Sequence, residues 1–237
     1  MAHLSEHSIP LEYSRITLHD SSELAMLDTS HPDVWCLLLP FVLEREPEKE
    51  HVLIDYLASF SQKLHQDSLL TILTTPEQAA NIYLHVKSFV KFQLWIVVKL
   101  HRPICREDYL PAHHAALLVL SKYHGSLKHT KTRISYTYCP TCERTTKDYG
   151  GKKHLYHAYG TLMSDIWRDI SYNPQGEPED IIARLQDLFG ISPHNKLHVI
   201  DLRTQFHAAT TVSDLTVNYL STFEDHHDAI MKDSQLI

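Results

Sequence analysis

Short, continuously apolar runs alternate with amphipathic stretches along this chain. Asp33–Leu39 (DVWCLLL) has no polar interruption after its first residue, the pattern of a strand buried on both faces, and Pro40 ends it. A charged link over 44–50 leads into a helix predicted over about 50–65, with Leu53, Tyr56, Leu57, Phe60 and Leu64 on its buried stripe. Leu69–Leu73 predicts the next strand. Thr75-Pro76-Glu77-Gln78 then opens a second helix, running to about Phe89, with threonine at the N-cap and proline at the first helical position. Phe92–Leu100 (FQLWIVVKL) and Ala115–Leu120 (AALLVL) predict two more buried strands. Pro178–Phe189 carries Ile181, Ile182, Leu185 and Leu188 at helical spacing, and Gly190 suits its C-terminal cap. Leu197–Asp201 (LHVID) predicts a last strand, and the tail from Ser213 a further helix. Strands alternating with helices predict an α/β fold with a mostly parallel sheet. Residues 1–14 read as a polar N-terminal arm, 15–237 as the α/β domain, and 124–160 as a segment inserted into it.

Composition narrows the function classes. The 237 residues are 43% hydrophobic and 22% charged, as in an ordinary globule, and the net charge of −7 excludes a polycation that coats DNA. Any nucleic-acid contact has to come from a local basic patch. The first residues lack a basic start followed by an apolar stretch, and no apolar run reaches the length of a membrane span, so a cytoplasmic location and no membrane partner are expected. Four cysteines, two of them in CPTC, fit a reducing compartment with a metal or free thiols. The six glycines all fall between 125 and 190, and none forms a G-x-G-x-x-G or G-x-x-x-x-G-K-[ST] loop. A glycine-lined cradle for a nucleotide-type cofactor is therefore missing.

The inserted segment carries the densest chemistry. Cys139-x2-Cys142 followed by His154-x2-His157 supplies two thiolates and two imidazoles, a donor set suited to tetrahedral zinc. The H-x2-H spacing is tighter than in a common zinc finger, and Asp148-Tyr149-Gly150-Gly151 suggests a hairpin, so a small ribbon or knuckle is the expected form. His124 or His129 could replace one of the two histidines. The competing reading is a turn with two reduced thiols and surface histidines. Arg144, Lys147, Lys152 and Lys153, interleaved with Tyr149 and Tyr156, make the best basic patch for holding phosphates and stacking a base. Its competitor is a solvated face. His113-His114 reads as structural, and Asp225-His226-His227-Asp228 as a solvated polar stretch of the tail. No local motif marks a Ser-His-Asp or Cys-His nucleophile, although such arrangements depend on spatial neighbours.

The order of these segments resembles the DNA amino-methyltransferases, which methylate the exocyclic amine of cytosine or adenine. The match is to their permuted arrangement, with the catalytic strand first and the cofactor strand last. Asp33–Phe41 (DVWCLLLPF) stands where that family has an apolar strand ending in Ser/Asp-Pro-Pro-Tyr/Phe. Gly160–Ile170 (GTLMSDIWRDI) resembles its Asp-Val-Trp segment, with Asp165 and Trp167 as the matching residues. Glu177–Phe189 (EPEDIIARLQDLF) resembles the helix that follows. Val199–Thr211 (VIDLRTQFHAATT) stands where the family has Leu-Asp-Pro-Phe-x-Gly-Ser-Gly-Thr-Thr. The resemblance implies a Rossmann-like methyltransferase sheet with helices on both faces, and a target-recognition role for the insert.

The departures fall on the residues that perform the family's chemistry. Of the catalytic motif only Pro40 and Phe41 remain. Leu38 replaces the Ser or Asp that accepts from the target amine, and Leu39 replaces the first proline. An aliphatic side chain accepts no hydrogen bond, so it cannot orient the amine lone pair. In the cofactor motif Asp201 persists, whereas Arg203, Gln205 and His207 stand where the family has Phe, Gly and Gly. Side chains at the two glycine positions, Gln205 and His207, are expected to fill the space where the methionine part of S-adenosylmethionine would lie, and the cofactor is then not expected to bind. Trp167 is expected simply to pack the core. The expected function is that of a methyltransferase-like protein without catalysis, binding DNA or an active methyltransferase or nuclease subunit in a restriction–modification or defence system. The alternatives are an active S-adenosylmethionine-dependent enzyme with a divergent pocket, and a zinc-stabilised scaffold subunit without DNA affinity.

Overall fold

The computed structural model describes residues 12–16, 18, 21–41, 47–105, 110–123, 129, 133–136, 138–145, 161–189 and 196–203. Its elements in chain order are β1 (Glu12–Ile16), a 3-10 turn over Ser21–Met26, β2 (Val34–Leu38), α1 (Pro47–Lys63), β3 (Leu69–Thr74) and α2 (Pro76–Val86). There follow β4 (Lys91–Ile104), β5 (Ala112–Ser121), β6 (Arg133–Ile134), β7 (Tyr138–Cys139) and β8 (Arg144–Thr145). The last are β9 (Thr161–Leu162), β10 (Ile166–Tyr172), α3 (Glu179–Phe189) and β11 (Lys196–Asp201).

Seven strands form one sheet in the order β1-β11-β2-β3-β5-β4-β10. Pairing is parallel from β1 across to β3, and again between β10 and β4. Only β5 runs the other way, antiparallel to both β3 and β4. The sheet is thus mostly parallel, with its six like-directed strands ending on one edge. Beside it lie two small pairs, β6 with β9 and β7 with β8.

Alternation along the central strands explains the layers. Cys36 and Leu38 of β2, with Val199 of β11 and Leu117 of β5, face the apolar stripe of α3, namely Ile181, Leu185, Leu188 and Phe189. Trp35 and Leu37 point the opposite way, against Leu53, Leu57 and Phe60 of α1 and Ile82 and Val86 of α2. All five residues of β2 are fully buried, as an unbroken apolar run in a two-sided parallel sheet requires. Each fully buried Leu or Phe contributes about 1.5–3 kcal/mol of transfer free energy, so a strand covered on both faces anchors the whole sheet.

Local chemistry sets the ends of α2. Thr75 is extended (φ −71°, ψ 153°), accepts from the Gln78 N–H, and is followed by Pro76 in the first turn. The Gln78 side chain does not complete a capping box. It accepts instead from the Thr74 hydroxyl. The helix ends at Val86, short of the predicted Phe89. Within the seven-stranded sheet, two strands lie where the hydrophobic pattern gave no strand: β1, which spans the boundary drawn at residue 14, and β10. Both sit at edges of the described sheet, and their burial is broken or partial. None of the described helices is long and apolar enough to cross a membrane.

Candidate functional site

The two motif strands recognised in the sequence are neighbours. β11 lies parallel to β2, with Asp201 in register with Leu38, and the Leu202 N–H donates to the Leu38 carbonyl at 2.9 Å. In open α/β sheets ligands bind beyond the carboxyl ends of the strands, where the strand order reverses. The β2/β11 pair is such a place, because β2 leads through α1 to β3 on one side while β11 flanks it on the other.

On the β2 side this edge is wholly apolar. Leu38 and Leu39 are both completely buried. Leu38 packs in the α3-side cluster with Phe41 and Tyr172, whose rings are 5.6 Å apart and tilted by 53°. Leu39 packs on the α1 side, and its N–H donates to the Leu73 carbonyl at 3.0 Å. Cys36, two residues back on the Leu38 face, is also fully buried. Burial pushes its thiol up to about 11, against the lowering effects of a Thr71 hydrogen bond and the Arg203 charge.

On the β11 side the carboxylate is already engaged. Arg203 turns back onto Asp201, donating from Nε to Oδ1 at 2.9 Å and from Nη2 to Oδ2 at 2.7 Å. The Arg203 backbone N–H adds a third bond to Oδ1 at 3.1 Å. Its Nη1 reaches the carbonyls of Pro174 (2.9 Å) and Gly176 (2.6 Å) and the Tyr172 hydroxyl (3.4 Å). Arg15 of β1 donates to Asp201 Oδ2 at 2.8 Å with one arm and to Glu177 at 2.7 Å with the other. One carboxylate therefore serves two guanidinium groups, and the planar fork of Arg203 binds it bidentately. Burial would raise the Asp201 carboxyl, but the Arg203 bonds and charge, with help from Arg15, hold it below the usual carboxylate range. Burial acts on Arg203 in the lowering direction, yet its bonds to Asp201 and Tyr172 leave it raised. Burial pushes the Tyr172 phenol up to about 12, although Arg203 opposes it.

Arg203 thus lies against Asp201. Gln205 and His207 lie outside the described residues. Arg15, Glu177 and Tyr172 escaped the sequence reading, because the bonds that join them to Asp201 and Arg203 span from 31 to 186 positions and leave no local signal. Trp167 is a core residue at 1% exposure, with the Arg184 guanidinium 5.4 Å over its ring. Asp165 is exposed, and its carbonyl accepts from the Val97 N–H at 2.7 Å.

The segment over 124–160 divides differently. Cys139 pairs in register with Arg144 across β7 and β8, which places Cys142 in the connecting turn. Glu143 closes that turn at φ 51°, a left-handed conformation uncommon for a residue with a side chain. The backbone N–H of Cys142 is the main cause that lowers the Cys139 thiol, followed by the Cys142 side chain and the Thr141 N–H. Two sulfurs on one turn, one of them a thiol held below its ordinary value, suit a soft cation. Among the described residues no group of three or more His, Cys, Asp and Glu gathers as a metal site. His154, His157, the alternate His124, and Lys147, Lys152 and Lys153 lie outside the described residues, while His129 and Arg144 are exposed.

No family model matches the chain. A segment of 94 residues is 36% identical to the type II methyltransferase M.BamHI of Bacillus amyloliquefaciens, covering 38% of this chain and 22% of that protein. The chain thus spans less than a quarter of that relative's length. Solved structures similar to it include the cytosine-N4-specific PvuII DNA methyltransferase (11% identity, TM-score 0.46, 86% of this chain and 90% of that one). M1.HpyAVI in complex with SAM is another (8% identity, TM-score 0.46, 81% and 95%). The described sheet, mostly parallel and covered by helices on both faces, is Rossmann-like, and the two strands that carry the motif resemblance are paired in it. The M.BamHI match likens 38% of the chain to part of a type II DNA methyltransferase.

Proposed function

We propose that this chain is a DNA-methyltransferase-like protein that has lost methyl transfer and serves as a DNA- or partner-binding subunit, with an active methyltransferase or nuclease as the partner, in a restriction–modification or defence system. The observation that supports this most directly is the Arg203–Asp201–Arg15 cluster beside Leu38. Methyl transfer to an amine needs an acceptor that orients the lone pair and a seat for the methyl donor. Here a fully buried leucine stands at the acceptor position, and the carboxylate that would face the donor is saturated by two arginines. The 36% identity to a type II methyltransferase favours a second reading, an active S-adenosylmethionine-dependent enzyme whose pocket is built differently. Calorimetric titration with S-adenosylmethionine, alongside transfer of labelled methyl groups to DNA, separates the two. The first reading expects neither heat nor label. Saturable micromolar binding would overturn it.

In the same proposal Cys139, Cys142, His154 and His157 hold zinc, which would fix the insert, and Arg144, Lys147, Lys152 and Lys153 contact DNA phosphates. The shared β7–β8 turn of the two thiols supports the metal, and the exposure of Arg144 supports the contact. A scaffold without DNA affinity remains the competing role for a zinc-bearing insert. A salt-dependent DNA shift removed by neutralising Lys152 and Lys153 would argue against that scaffold.

A further inference from the structure

We propose that Ser14 is an activated serine nucleophile for acyl- or phosphonyl-type electrophiles, with His198 as its base and Asp33 as the residue that positions the imidazole. Ser14 Oγ lies 2.7 Å from His198 Nδ1, and His198 Nε2 lies 3.0 Å from Asp33 Oδ2. These three side chains come from β1, from β11 and from the residue immediately before β2. The parallel pairing of these strands brings them together, so no sequence motif announces the set.

In the neutral imidazole the geometry selects the tautomer: a carboxylate only accepts, so the proton lies on Nε2, facing Asp33, and the Nδ1 lone pair faces the serine hydroxyl. The imidazole is held on its face as well as at its ends: Trp35 stacks on it with centroids 4.4 Å apart and planes 28° from parallel. Asp33 is fixed in turn, since its other oxygen accepts from the Lys196 N–H at 3.1 Å. Accessibility is graded in the sense a nucleophile needs. Asp33 is 5% exposed, whereas Ser14 is half-buried on β1, an outer strand of the described sheet. Nucleophile, base and positioning carboxylate are recognised by such roles and contacts, not by chain position. The three lie on the face of the sheet opposite Arg203 and Leu38, so the proposal is independent of any methyltransferase role.

Ser14 Oγ forms a bond to the carbonyl carbon of an ester while its proton passes to His198 Nδ1. The ester C–O bond breaks, the leaving alkoxide takes that proton from His198, and the enzyme keeps the acyl group on Ser14. With a fluorophosphonate the P–F bond breaks instead, fluoride leaves with the proton, and a stable Ser14 adduct remains.

The test is incubation of the full-length protein with a fluorophosphonate, with peptide mass mapping over time. An adduct on Ser14 is expected in the native protein, absent from the heat-denatured protein and from Ser14→Ala. His198→Gln and Asp33→Asn should slow labelling by about a hundredfold, a magnitude typical of general-base assistance. Alkylation of the buried Cys36 thiol is followed in the same samples, because its rate reports opening of the core. A fall in labelling with an unchanged Cys36 rate supports the proposal. No Ser14 adduct on the native protein, or labelling that His198→Gln leaves unaltered, overturns it, and the wild-type result stands even where a variant does not fold.

Discussion

Arg203 shows how one residue can join separate parts of a fold. Its guanidinium spans the carboxylate of Asp201, the loop carbonyls of Pro174 and Gly176, and the phenol of Tyr172. Buried ion pairs owe their stability to complete hydrogen bonding, since desolvation of both charges opposes them. This pair meets the condition on both partners. The consequence for pH follows from the sign of the shift. Asp201 is lowered in the folded state, so its contribution is present above the unfolded carboxylate value near 4 and is lost as pH falls through the folded value. Stability measured by urea melts should therefore decline on acidification below about pH 4. In Asp201→Asn that decline should be shallower, by at most about 1.4 kcal/mol per pH unit, the slope that one proton produces. Equal slopes in the two proteins would mean that the carboxylate is not held by its arginines.

At the scale of elements, α2 offers the cleanest link from sequence to stability. Thr75 accepts from the Gln78 N–H at 3.3 Å, satisfying a donor that the helix itself leaves unpaired, and Pro76 costs nothing because its missing N–H would have had no partner. Thr75→Ala should cost about 1 kcal/mol in denaturant melts, with the m-value unchanged. A loss below a few tenths would show that solvent caps the helix as well as the threonine does. The start of α2 was legible because capping is local, and β2, β3 and β11 were legible because a strand covered on both faces must be apolar throughout. β10 was not. Its residues alternate between the buried Trp167 and Ile170 and the exposed Arg168 and Asp169, with a register shift between Trp167 and Ser171, so neither a strand nor a helix period emerges. β1 is five residues with none fully buried, which leaves composition too polar to mark it. The same reasoning separates the parts of the candidate site. Leu38 and Arg203 could be placed from motif order, whereas Arg15 reaches Asp201 only through the pairing of β1 with β11.

For the whole molecule, the decisive feature is that the sheet is covered twice, by α1 and α2 on one face and α3 on the other, with β2 near its middle. Cys36 lies at the centre of that strand, fully buried and with its thiol pushed up to about 11 by burial. Thiolate is the reactive form, so two independent barriers protect it, exclusion of the reagent and suppression of ionisation. Cys105, just past the end of β4, is exposed and has no such cover. Iodoacetamide at neutral pH should therefore modify Cys105 promptly, while Cys36 reacts only as fast as the layers part. Adding urea below the unfolding midpoint should raise the Cys36 rate in step with the global equilibrium and leave Cys105 unaffected. This behaviour distinguishes a sheet whose two faces unfold as one unit from one in which the α3 layer detaches on its own. In the second case Cys36, which faces α3, would become reactive before the α1 side loses its protection from hydrogen exchange. The order of those two signals tests whether the core is cooperative, because Arg203 ties β11 to the loop that leads into α3. A molecule in which that joint were a weak seam would open there first, and Cys36 would then become reactive before the sheet as a whole unfolds.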